Sequence, residues 1–281
     1  MRNASATVRD TIRSLQWQTL NDWELVLLDD GSTDDSIGIV RSIADRRIRL
    51  QSDSERKGLA ARLNQAVGLA RGRFIARIDA DDICFPARLE KQVAYLESHP
   101  EIDLAASGAV VFSDRDLIGL LPIGSDHEDI IRQPFRGFPF PHPTWCGRTE
   151  WFRANPYDAS LGKTQDQDLL LRSFRHSTFG GLPDVLVGYR QQKLEIGKLL
   201  RGRFVFVRSL WRHGRTHAPL SSVVGGMASQ IVKAAADIVM LGLGLNRWGQ
   251  LRRLHSIPRD VQDEWPSLCA RLQSGDRTSL N

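Results

Sequence analysis

Trp23-Glu-Leu-Val-Leu-Leu-Asp-Asp-Gly-Ser32 is a short apolar run that breaks into an acidic turn. Successive apolar side chains without alternation suit a strand buried on both faces, as in a parallel sheet. The same pattern returns 50 residues later, where Arg73-Phe-Ile-Ala-Arg-Ile78 ends at Asp79-Ala-Asp-Asp82. Residues 47–51 read as a further strand. Helical stripes lie between these runs: Val8, Ile12 and Leu15 over residues 5–17; Ile37, Val40 and Ala44, with Ser32 or Thr33 as cap; Leu59, Leu63, Ala66 and Ala70. A fourth stripe, Leu89, Val93 and Leu96, runs over 87–98, with Pro86 in its first turn and Pro100 beyond its end. Strand and helix therefore alternate, which predicts an α/β fold with a mostly parallel sheet and helices on both faces. Ligands of such sheets bind beyond the carboxyl ends of the strands. The clusters at 29–30 and 79–82 are thereby expected on one rim.

Beyond residue 100 the alternation loosens. Residues 102–112 and 185–189 read as strands. The stretch 120–150, rich in Pro, Gly and Phe, reads as an ordered loop over a pocket. Composition bounds the function. At 281 residues with 41% hydrophobic and 25% charged side chains, the chain is neither disordered nor fibrous. Cys84, Cys146 and Cys269 are scattered, without the spacing of a disulfide scaffold or a zinc site. The first ten residues lack the apolar core of a signal peptide, and no uninterrupted apolar run reaches eighteen residues. The expected location is the cytoplasm.

Asp79 and Asp81, two apart at a strand end, point to one side while extended geometry persists. Oxygen-only ligands suit a hard divalent cation, Mg²⁺ or Mn²⁺, which shares phosphate oxygens with a bound nucleotide. Taken alone, such a cluster reads first as a solvated acidic turn, ahead of a metal site.

Longer strings separate these readings. Arg77-Ile-Asp-Ala-Asp-Asp82 followed by Pro86-Ala-Arg-Leu-Glu-Lys-Gln92 resembles the family-2 inverting glycosyltransferases. So do Trp23-Glu-Leu-Val-Leu-Leu-Asp-Asp-Gly-Ser-Thr-Asp34, Gly58-Leu-Ala-Ala-Arg-Leu-Asn64 and the segment 92–103. The resemblance covers about residues 3–190, in the right order. It implies a GT-A type nucleotide-binding sheet over 1–190 and leaves 191–281 as a basic, helical C-terminal extension.

It also implies roles. Asp30 matches the carboxylate that contacts the nucleotide base, Asp79 its neighbour near the ribose, and Asp81 the metal ligand. Asp166, in Gln165-Asp-Gln-Asp168, matches the base that takes the acceptor proton. Asp168 caps or braces the helix that follows. Gln165 stands where the family has a Glu and carries no charge. His142, in Pro-His-Pro-Thr, resembles a His near the acceptor; packing among loop aromatics is its other reading. Arg148 and Arg190 are candidates to face phosphates. The implied partners are a UDP- or GDP-linked sugar donor and a glycan or lipid-linked acceptor. The family also opens with an apolar strand and a Pro-Val-x-Asn turn. Met1-Arg-Asn3 falls where that turn ends, so the expectation is that the natural protein is longer.

Net charge is +5, yet residues 190–260 alone carry +10, leaving −5 on the remainder. Basic surface attracts phosphates, but no nucleic-acid motif accompanies it, and nucleic acid is not expected as a partner. Residues 223–245 are strongly apolar, broken by Gln230, Lys233 and Asp237, and follow Arg201, Arg203, Arg208, Arg212 and Arg215. They read either as a packed accessory helix or as a helix lying on an anionic membrane surface at the cytoplasmic face of the inner membrane. The function expected is metal-assisted, inverting sugar transfer. The competing classes are a truncated non-catalytic remnant and a membrane-peripheral scaffold acting through the basic tail. A sugar-nucleotide-forming nucleotidyltransferase fits less well, because it wants a glycine-rich phosphate loop near the N-terminus.

Overall fold

The apolar stripes become the first helices: α1 (Val8–Gln16), α2 (Ser36–Arg41), α3 (Leu59–Leu69) and α4 (Arg88–Ser98). The apolar runs become β1 (Leu25–Leu28), β2 (Ile48–Gln51) and β3 (Phe74–Ala76). The computed structural model describes residues 1–191, 195–216, 218–243 and 254–274. Ser32 and Thr33 do not cap α2. The Ser32 hydroxyl accepts from the Asn3 N–H at 2.9 Å, and the Thr33 N–H donates to Asn3 Oδ1 at 2.8 Å. The chain start is thereby stitched to the turn after β1.

The strands that follow are β4 (Ile83–Cys84), β5 (Leu104–Ser113), β6 (Asp116–Leu120), β7 (Cys146–Arg148) and β8 (Phe179–Arg190). Between them lie α5 (His127–Ile131), α6 (Thr149–Ala154) and α7 (Gln165–Ser173). Residues 120–150 are thus not one loop; they hold a helix, two 3-10 turns and a strand.

The expectation of a mostly parallel sheet is overturned. β1 and β2 pair in parallel, but as a two-stranded sheet of their own. The larger sheet runs β3-β7-β5-β8-β4, with β6 also on β5. Only β5–β8 is parallel there; the other four pairings are antiparallel. The reason is local. β5 reaches β6 through the two-residue turn Asp114-Arg115, with Asp114 at φ +56°, and a hairpin is necessarily antiparallel. β7, three residues long, wedges antiparallel between β3 and the start of β5. Strands this short carry no readable period.

Among the described residues no ladder joins β1 to β3. An apolar slot separates them, walled by Leu15, Leu25, Val26, Leu63, Ala66 and Ile78, and continuous over two cavities of about 470 and 250 Å³. Met1 closes one end. Its ammonium donates to Leu28 O at 2.6 Å and its carbonyl accepts from Asp30 N–H at 2.9 Å, the pattern of a parallel rung. Burial lowers the pKa of that ammonium, against the opposing pull of Asp29, Asp79 and Asp30.

The main core fills the space between the larger sheet and α7. Trp145, Phe140, Phe179 and Leu169–Leu171 are buried there. The C-terminal part adds α8 (Ile196–His213), α9 (Leu220–Gly242) and α10 (Arg259–Ser274). Phe206, Leu210 and Val223 join that core, while Trp265 and Leu268 of α10 pack on Phe85, Phe112 and Val185 at the other side of the sheet.

The slot generates a prediction. Five Val/Ile-rich residues fused ahead of Met1 should run parallel to β1, replacing a buried ammonium by a ladder N–H. Thermal unfolding should shift upward by at least about 5 °C. A Gly-Ser extension of equal length should leave it unchanged.

Candidate active site

Asp30 sits at the end of β1, where the chain turns, and its carboxylate is the anchor of α3. Oδ1 accepts from the N–H groups of Lys57 at 2.7 Å and Gly58 at 3.0 Å, and from Arg62 Nε at 3.2 Å. Gly58 holds φ +86°, which a side chain would strain, and this conformation aims its N–H at Asp30. Burial would raise the Asp30 pKa, but these donors outweigh it and hold the group below the usual carboxylate range. Asn64, from the same sequence string, exchanges two hydrogen bonds with the Tyr157 backbone, at 2.8 and 2.9 Å.

At the end of β3 the Arg77 N–H continues the ladder to Trp145 O at 2.8 Å, and the chain then turns through 79–82. α1 fixes this turn from one side: Thr7 Oγ1 donates to Ala80 O at 2.9 Å and Thr11 Oγ1 to Asp82 O at 2.8 Å. From the other side Arg190, ending β8, donates its backbone N–H to Asp82 Oδ1 at 2.9 Å and its Nε to Asp81 O at 2.8 Å. Carboxylate oxygens of Asp79, Asp81 and Asp82 lie within 4.8 Å of one another. Asp82 is buried and its Oδ2 has no partner. Burial and the charge of Asp79, followed by that of Asp81, hold its pKa well above the ordinary range. An orphaned buried oxygen among all-oxygen donors fits a hard divalent cation such as Mn²⁺ or Mg²⁺.

Arg77 stands behind this cluster. Its side chain is only 7% exposed, Nη2 pairs with Asp79, and Nε and Nη1 are buried without partners. Its charge is felt by Asp79, Asp82, Asp166, His142 and Tyr157. The sequence placed Arg77 in a motif without a role. The signal was available: an Arg two after Ile75 on an apolar strand shares that side chain's inward face.

Asp30, Arg62, Arg77, Asp79, Asp81 and Arg190 line one cleft, the mouth of the apolar slot. Asp166 is not among its lining residues. It lies in the first turn of α7, just after Thr164 in a left-handed conformation at φ +52°. Enclosure by protein raises the Asp166 pKa, against the lowering effect of the Gln167 N–H and of Arg77. Gln165 beside it is buried. His142 occupies a 3-10 turn, edge-on to Trp145, with Nε2 2.9 Å from the Tyr157 hydroxyl. Burial and Arg77 hold its pKa well below the usual imidazole value, so it is neutral at pH 7. Asp168 braces: it is 1% exposed, pairs with Arg172 at 2.9 Å and faces His213 of α8 at 3.8 Å. Arg148 does not face a phosphate site. It donates to the carbonyls of Leu96, His99 and Ile102 and ties down the end of α4.

Residues 1–155 match the family described as "Glycosyl transferase family 2". The chain is 37% identical over 184 residues to EpsE of Bacillus subtilis (strain 168), covering 63% of this chain and 66% of EpsE, just under two thirds of that protein. It is 39% identical over 94 residues to an Escherichia coli protein, the UDP-Glc:alpha-D-GlcNAc-diphosphoundecaprenol beta-1,3-glucosyltransferase WfgD, covering 34% of this chain and 37% of WfgD. In fold it is similar to the mannosyltransferase PcManGT of Pyrobaculum calidifontis, solved with GDP-Man and Mn²⁺. That likeness has a TM-score of 0.59 at 17% identity, covering 99% of this chain and 86% of that one.

Binding of a cation to this cluster competes with protonation of Asp82, whose pKa is raised. Calorimetric titration of Mn²⁺ should therefore show affinity falling as pH is lowered into the acid range, with proton release that differs between buffers of unlike ionisation enthalpy. Asp81→Ala should weaken the binding at least about tenfold, as expected for loss of a charged ligand. Affinity independent of pH would contradict the assignment of Asp82 to the site.

Proposed function

Because the chain belongs to glycosyl transferase family 2, we propose that it moves a sugar from a UDP- or GDP-linked donor to a hydroxyl of a glycan or lipid-linked acceptor, with inversion at the anomeric carbon. The observation that carries this reading is the convergence of the Asp79, Asp81 and Asp82 carboxylates, of which Asp79 and Asp81 line the cleft, with the Arg77 charge acting on both this cluster and Asp166. The bond from the anomeric carbon to the diphosphate oxygen breaks, and the acceptor oxygen bonds to that carbon. The acceptor proton passes to the Asp166 carboxylate. Asp79, Asp81 and Asp82 would hold a divalent cation, which would supply charge neutralisation to the diphosphate.

The residues of this chain do the rest. Asp30 keeps Oδ2 lightly used, with one bond of 3.2 Å from Gly58 N–H, and is assigned to the nucleotide base. Asp79 serves the ribose side. The raised pKa of Asp166 makes it a stronger proton acceptor than an ordinary Asp, while the charge of Arg77 works against that rise and favours the ionised form. Neutral His142 and buried Gln165 shape the acceptor side and carry no charge there. Residues 1–190 are assigned to catalysis and 191–281 to placement against an anionic membrane surface. The setting is the cytoplasmic face of the membrane, in synthesis of an envelope polysaccharide. The named acceptor of WfgD, a diphosphoundecaprenol-linked sugar, is of this class.

Asp166→Asn should lower transfer by about 10²- to 10⁴-fold while nucleotide affinity stays within about twofold. Loss of binding as well would remove the role given to Asp166. Transfer should also fall as pH drops through the raised Asp166 pKa, an acid limb above that of a free Asp. In Arg77→Gln that limb should move further up in pH, since a nearby cation lowers a carboxylate pKa. Calorimetry with UDP and GDP, with and without Mn²⁺, names the donor class. A folded chain that binds neither is the outcome expected of a non-catalytic remnant.

A further inference from the structure

α9 is an inside-out helix. Its inward stripe carries the polar groups: Gln230 Nε2 and Lys233 Nζ donate to Arg136 O at 3.3 and 3.0 Å, and Asp237 pairs with Arg203 of α8, Nε at 2.8 Å. Its outward stripe is apolar: Val224, Ile231, Val232, Ile238 and Val239 are each at least half exposed. Of the ten large apolar side chains exposed among the described residues, nine fall between 204 and 243. Phe204 and Trp211 extend the patch onto α8, 70% and 52% exposed. There they alternate with Arg201, Arg208, Arg212 and Arg215, also exposed. The Arg215 guanidinium lies 5.3 Å from the centre of the Trp211 ring. Between residues 196 and 243 the sole acidic side chain is Asp237, and it is turned inward.

We propose that this face of α8 and α9 docks on a bilayer containing anionic lipid. Exposed apolar side chains beside a row of arginines match the two halves of a membrane interface, acyl boundary and phosphate headgroups. Aromatic and Arg side chains favour that boundary. α9 is long and apolar enough to cross a membrane by length and composition. Its ties to Arg136 and Arg203 would break on crossing, whereas lying flat keeps them. Gly226 seats the helix against Phe135, whose carbonyl would lie 2.5 Å from any added Cβ.

The docked face is mechanically continuous with the site. α8 sets its His213 3.8 Å from Asp168 of α7, the helix that carries Asp166, and its Arg212 approaches Asp158 at 3.9 Å. A hydroxyl on a lipid anchored in the same bilayer would then be presented on the Asp166 side. That last step rests on the glycosyltransferase reading; the docking itself does not.

Flotation of the full chain with vesicles tests it. Binding should be strong to phosphatidylcholine vesicles containing 30% phosphatidylglycerol, weak to phosphatidylcholine alone, and reduced in 0.5 M salt; these proportions are choices of roughly physiological and screening scale. The pairs Ile231→Glu with Val239→Glu, and Arg201→Glu with Arg208→Glu, should each lower the bound fraction about tenfold. Circular dichroism and nucleotide calorimetry should be unchanged in both, since all four side chains are exposed. Equal flotation of parent and both variants, or no preference for anionic lipid, would overturn the proposal. So would a dimer in solution that Ile231→Glu converts to monomer, because a second copy would then cover the face. A failure confined to nucleotide binding would strike the reading of the site and leave docking standing.

Discussion

Arg77 is a charge withdrawn from water, and the acidic side chains around it are held in place by its field. An unpaired guanidinium in the interior would be strongly destabilising. Here Asp79 binds it directly, and Asp82 and Asp166 surround it at longer range. The dependence is mutual. Without the guanidinium, three clustered carboxylates at the rim and a fourth on α7 would repel one another with no compensating charge. With it, one β-strand end connects the acidic cluster at 79–82 to Asp166, on a helix some 90 residues later in the chain. Two buried nitrogens of Arg77, Nε and Nη1, have no hydrogen-bond partner among the described residues. Such under-satisfied groups are uncommon in folded proteins and mark places where stability has yielded to chemistry.

The rim itself is assembled from far-apart pieces. Hydroxyls of α1, the turn after β3 and the end of β8 meet at Ala80, Asp81 and Asp82. The slot between β1 and β3 opens at this rim, and Met1 provides its last rung. Two strand edges facing each other across apolar walls leave backbone groups without ladder partners, a costly arrangement in any sheet. The stitching of Asn3 to Ser32 and Thr33 keeps Asp30 in register at the mouth of this slot.

The C-terminal helices solve the opposite problem. α10 buries Trp265 and Leu268 against the sheet in the ordinary way. α9 turns Gln230, Lys233 and Asp237 inward and leaves Val224, Ile231, Val232, Ile238 and Val239 outside. In water that inversion has no hydrophobic rationale. It becomes consistent when the outer medium is apolar at one level and anionic at the next.

The first hundred residues were legible because their elements are long enough to show a period. β1, β2, α3 and α4 lie where the apolar spacing puts them. Asp30, Asp79 and Asp81 of the two acidic strings do line one cleft, although β1 and β3 belong to separate sheets rather than to one parallel sheet. The family was legible too, since it rests on the order of several strings rather than on packing. The strand directions were not. β4 and β7 have two and three residues, and β6 is set by a turn, so the antiparallel pairings come from contacts that no local pattern encodes. Nor did the sequence show that Arg77 lies among Asp79, Asp82 and Asp166, that Arg148 ties backbone instead of phosphate, or that α9 faces outward with its apolar side. Sequence determined the elements and their chemistry, because periodicity and residue type are local. Tertiary structure decided neighbours, burial and charge state, because each of these depends on groups brought together from distant parts of the chain.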